Sequence, residues 1–62
     1  MQAQLIRHMW STSGSIWELQ VYSEDSNKWF AITTQLSWEK IVKWCEDNGY
    51  PIPKEHTVEP HN

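Results

Sequence analysis

The chain has 62 residues, a formal charge of −3, and 39% hydrophobic content concentrated in bulky side chains. That length allows one domain with a small core, and the patterning up to about residue 50 is too apolar and too regular for disorder. The five lysines and arginines form no basic stripe, so tight sequence-independent nucleic-acid binding lacks its usual driver. No stretch approaches the ~20 apolar residues of a membrane span, and the N-terminus lacks the charged start and apolar run of a signal peptide. The single cysteine, Cys45, forbids an internal disulfide and fits a reducing, cytosolic setting.

Taken in chain order, residues 4–10 read as a strand, but its register is open. A tight turn on Ser13-Gly14 would pair Trp10 with Trp17 and Ile6 with Val21 on the core side, leaving Leu5, Arg7 and Met9 outside. A loop one residue longer reverses every side chain and puts Met9 in the core. The first arrangement is preferred because it buries the larger indole.

Residues 16–22 and 29–34 read as a hairpin. Trp17, Leu19 and Val21 share one face of the first strand, and Phe30 and Ile32 one face of the second. The joining segment Ser23–Lys28 is rich in turn formers. Pairing Val21 with Phe30, Leu19 with Ile32 and Trp17 with Thr34 gathers the aliphatic residues on one side. Tyr22 then faces Trp29 on the other side, with Gln20 opposite Ala31 and Glu18 opposite Thr33.

Residues 38–48 read as a helix. Ser37 is the expected N-cap, Glu39 suits the positive end of the dipole, and Leu36 with Ile41 has the spacing of a hydrophobic staple. Trp38, Ile41, Val42 and Cys45 make the buried stripe, with Trp44 at its edge. Asn48-Gly49 supplies a left-handed stop, and Tyr50 is placed to fold back onto the last turn. The expected fold is therefore α+β: a three-stranded antiparallel meander with one C-terminal helix on one face (β-β-β-α) over residues 1–50. Residues 51–62 form a loosely held, Pro-containing tail. Within it His56-Thr57-Val58 is open to two readings, an added edge strand or a segment that a partner orders.

No catalytic motif or phosphate loop appears, so no enzyme activity and no cofactor are expected. Cys45 could be a nucleophile near His8 or His56, but its place on the buried stripe reads as a small core hydrophobe. Glu55-His56 with Glu59 and His61 matches no standard zinc spacing and reads as a solvated tail, so no metal is expected. His8 reads as a surface or rim residue.

What remains is binding. One helix covers one side of a sheet, so the other side meets solvent or a partner. The expected contact surface is Arg7, Met9, Tyr22 and Trp29 on the open face, with Trp44 and the acidic Glu24-Asp25 loop at its rim. A protein partner is the favoured reading. The alternatives are single-stranded nucleic acid stacked on the same aromatics, and a homodimer burying the patch against itself.

In size, acidity and strand–strand–helix organisation the whole chain resembles the very small proteins encoded by bacterial viruses. That resemblance carries no diagnostic motif and transfers no residue. It implies a viral, cytosolic inhibitor of one host protein, such as a polymerase, nuclease or defence factor.

Overall fold

The computed structural model describes residues 1–11 and 14–61. It contains β1 (Ala3–Trp10), β2 (Gly14–Ser23), β3 (Lys28–Gln35), α1 (Trp38–Asn48) and β4 (His56–His61). The strands form one mixed sheet in the order β3-β2-β1-β4. The β1–β2 and β2–β3 pairs are antiparallel, and β4 runs parallel to β1. The class is α+β, with four strands rather than three. The expected loose tail supplies the fourth, and its His56-Thr57-Val58 segment lies in an edge strand. A parallel neighbour needs a long crossover, which α1 and the following Pro-containing segment provide.

The β2–β3 hairpin has the expected register at its turn end: Ser23 pairs with Lys28, Tyr22 with Trp29, Val21 with Phe30, and Gln20 with Ala31. Asn27 takes a left-handed backbone (φ 56°), which asparagine tolerates better than most residues. Its side chain accepts a hydrogen bond from the Tyr22 hydroxyl. Beyond Gln20 the register shifts, so Leu19 pairs with Thr33, Glu18 with Thr34 and Trp17 with Gln35. The expected Leu19–Ile32 and Trp17–Thr34 pairs are therefore displaced by one residue. A bulge of this kind absorbs one extra residue and bends the strand.

β1 takes the register opposite to the preferred one. Trp10 pairs with Gly14, Arg7 with Trp17, Leu5 with Leu19, and Ala3 with Val21. Of the expected Ser13-Gly14 turn, Ser13 lies outside the described residues, and Gly14 is already within β2. Leu5 thus enters the core, whereas Trp10 goes to the face away from the helix. The physical reason lies in the segment Leu5-Ile6, two adjacent aliphatics that face opposite ways in any strand. Both parities bury one of them, so alternation alone leaves the choice open.

The core joins Leu5, Trp17 and Leu19 of the sheet to Ile41 and Cys45 of α1. Ala3, Ile32, Val42, Trp44 and Tyr50 pack around it. The helix begins as the sequence reading expects: the Lys40 amide donates to Ser37 Oγ at 3.2 Å. It ends at Gly49 with a left-handed φ of 75°, and the Tyr50 amide donates to the Cys45 carbonyl at 2.9 Å. Tyr50 stacks back on Trp44, ring centroids 5.3 Å apart. Two expectations fail here. Leu36 is largely exposed, so it makes no staple, and Trp38 is 40% exposed at the end of the stripe rather than buried.

Candidate functional site

Strand alternation divides the expected contact residues between two faces. Side chains paired directly across antiparallel strands share a face. Tyr22 and Trp29 lie on the face away from α1, as an edge-to-face pair with centroids 5.3 Å apart. Glu24 and Asp25 are exposed in the turn beside them. Arg7 and Met9 follow Leu5 onto the helix side, so they do not join Tyr22 and Trp29. The Arg7 guanidinium lies over the Trp17 ring at 5.3 Å from its centroid, a cation–π arrangement, and its Nε is buried without a hydrogen-bond partner. Trp44 belongs to the helix and is turned into the packing around the core. The one surface expected from the sequence is therefore separated into an aromatic corner at the hairpin end and residues that support the helix side.

The aromatic corner continues along the outer strand. β3 is an edge strand on which Lys28, Trp29, Phe30 and Ala31 are all exposed. Phe30 is 46% exposed although it is on the helix side. An unpaired strand edge offers a row of free N–H and C=O groups to any chain that can align with it. The two edges of this sheet differ in that respect. β4 carries Glu59 and Pro60, two devices that discourage further pairing, whereas β3 carries Lys28 at its start and the bulge at Ile32, which leaves Trp29–Ala31 as the stretch between them without such a device.

The open face holds a second group of residues that sequence reasoning kept apart. On β1 the residues Gln4, Ile6, His8 and Trp10 face this way, opposite Gln20, Glu18, Ile16 and Gly14 of β2. The parallel pairing brings Glu59 beside His8 and His61 beside Trp10. His8 Nε2 lies 2.6 Å from Glu18 Oε1, and His8 Nδ1 lies 2.8 Å from His61 Nε2. Glu59 Oε2 is 3.7 Å from His8 Nδ1. The second Glu18 oxygen accepts from Gln20 Nε2 at 3.2 Å, and Gln4 Nε2 donates to Gln20 Oε1 at 2.6 Å. Trp10 stacks on His61 with centroids 4.7 Å apart. A polar chain thus runs across the middle of the face above buried Ile6.

His8 and His61 are far apart in sequence, and no local motif joins them. The signal that could have found them is β4 itself, because a strand at His56–His61 beside β1 places the two imidazoles on one face.

No family model matches the chain, and comparison with curated proteins and with solved structures finds no similar protein. Among the described residues no helix is long and apolar enough to cross a membrane.

Proposed function

We propose that this chain is a non-enzymatic protein-binding module. Its contact surface is the outer edge of β3, centred on Trp29 with Phe30 and Ala31 along the strand, flanked by Tyr22 of β2 on the open face and by Glu24-Asp25 at the rim. The observation that carries this reading is the presence, on the unpaired β3 edge between Lys28 and the bulge at Ile32, of two exposed large aromatics, Trp29 and Phe30. An extended segment of a partner gains main-chain hydrogen bonds along such an edge, and the aromatics supply specificity. Tyrosine and tryptophan are also the residues that dominate binding energy at interfaces. In keeping with the resemblance to small phage proteins, the partner is a bacterial host protein that this contact inhibits.

Nucleic acid fits the same surface poorly. The open face carries Glu18 and Glu59, the adjoining turn carries Glu24 and Asp25, and Arg7 is on the other side of the sheet. Phosphate contacts need several cations, and the β3 strand supplies Lys28 alone.

Two variants test the proposal. Trp29→Ala removes the aromatic anchor, and Ala31→Lys places a charge in the middle of the edge. Each leaves the core residues untouched, and loss of the Tyr22–Trp29 pair costs the fold only about 0.2–1 kcal/mol. Affinity capture from bacterial lysate is expected to retain one protein on the wild type and lose it on both variants. That contact should survive a rise from 50 to about 200 mM salt, whereas a nucleic-acid contact falls steeply over that range. A captured protein that both variants hold as well as the wild type sinks the assignment. A mass that rises with concentration and falls to monomer in Ala31→Lys assigns the edge to a second copy instead.

A further inference from the structure

We propose that His8 Nδ1, His61 Nε2 and a Glu59 carboxylate oxygen form a binding site for a divalent cation of the zinc class, with Glu18 orienting His8. The three ligand atoms lie within 4.8 Å of one another. Two imidazole nitrogens on one tetrahedral zinc, at bonds of about 2.0–2.1 Å, sit about 3.3 Å apart. The observed separations of 2.8 Å between the two histidines and 3.7 Å from His8 to Glu59 bracket that value. Small side-chain rotations therefore open the site, and Glu59, half exposed, has room to swing.

The protonation pattern supports the same assignment. A carboxylate only accepts, so in neutral His8 the Nε2–H donates to Glu18 and the Nδ1 lone pair faces His61. That is the arrangement in which a carboxylate fixes the tautomer and ring orientation of a metal-ligating histidine. Without a cation, His61 Nε2–H donates to the same lone pair. Beside those rotations, binding requires that the His61 proton move to its Nδ1, which frees Nε2 as a ligand. Trp10, stacked on the His61 ring at an interplanar angle of 17°, holds that ring in place. Two imidazoles with one carboxylate, completed by water from the solvent that reaches half-exposed Glu59, select zinc and its neighbours over magnesium or calcium, which prefer all-oxygen sites. The ligands come from β1 and β4, so an occupied site would pin the edge strand to the sheet. This proposal is independent of the β3 contact, which lies on the opposite edge.

The test is calorimetric titration of Zn2+ into the chelator-treated, tag-free full chain, with Co2+ absorption as a readout of geometry. One equivalent is expected to bind in the micromolar range or tighter. Co2+ should give the intense visible bands of a four- or five-coordinate site, and Mg2+ should give no heat. His61→Phe keeps a ring on Trp10 but removes the nitrogen, and should abolish binding. Glu18→Gln should weaken it about 10–100-fold. In the wild type, the ring signals of both His8 and His61 should shift in NMR spectra on addition of Zn2+. This measurement decides the matter even if a variant fails to fold. The proposal is overturned by the absence of saturable Zn2+ binding, by unchanged binding in a folded His61→Phe variant, or by shifts confined to His56 and Cys45.

Discussion

Leu5→Ala decides which way β1 faces. In the observed register Leu5 is 1% exposed and packs within the cluster of Trp17, Leu19, Ile41 and Cys45. The substitution deletes about three methylene equivalents at ~0.8 kcal/mol each, or roughly 2.4 kcal/mol of transfer free energy. The residual cavity adds to this, placing the loss at about 3 kcal/mol, inside the usual 2–5 kcal/mol range for buried leucine. A domain of this length has only about 3–9 kcal/mol in total. The variant should therefore melt about 12–24 °C below the wild type, at roughly 4–8 °C per kcal/mol. Urea unfolding followed by tryptophan fluorescence measures the loss directly, and an unchanged slope would show that the denatured state is not the cause. In the opposite register Leu5 is a surface residue, and its truncation costs within about 0.5 kcal/mol. A measured loss below about 1 kcal/mol would refute the observed pairing and, with it, the placement of His8 and Trp10 on the open face.

Two further outcomes follow from the packing. Burial of Cys45 raises its thiol pKa. The unfolded thiol ionises near its ordinary value of about 8.5, so this contribution to stability is complete below that pH and is lost as pH rises through the folded value. The wild type should lose stability between pH 8 and 10 more steeply than Cys45→Ala, by at most about 1.4 kcal/mol per pH unit; parallel melting curves would contradict this. Truncation before residue 56 tests whether the C-terminal segment is structural. It removes the Trp17–His56 and Trp10–His61 contacts, each worth about 0.5–1.5 kcal/mol by analogy with aromatic pairs, so a loss of about 1–3 kcal/mol is expected. An unchanged chemical-denaturation midpoint would return the segment to the status of a loose tail.

The parts legible in the sequence are those set by short-range physics. Ser37, Glu39 and Gly49 mark the helix ends because capping acts on groups within a turn of the chain. Tyr22–Trp29 and Val21–Phe30 pair as expected because a short turn fixes the register of the strands it joins. The candidate contact residues were only partly legible: Tyr22, Trp29, Glu24 and Asp25 stay together, while Arg7 and Met9 went with the parity of β1. The bulge beyond Gln20 also left no local mark.

Tertiary structure alone decided the rest. Leu5-Ile6 presents an aliphatic residue to either side, so only packing against Leu19 and α1 selects the face. His56–His61 has neither a regular alternation nor a hairpin turn, and it becomes a strand because a crossover delivers it to the free edge of β1. That one long-range pairing unites His8 with Glu59 and His61. Sequence patterns report what neighbours along the chain can bury or cap, whereas the meeting of β1 with β4 depends on the path taken by the whole chain.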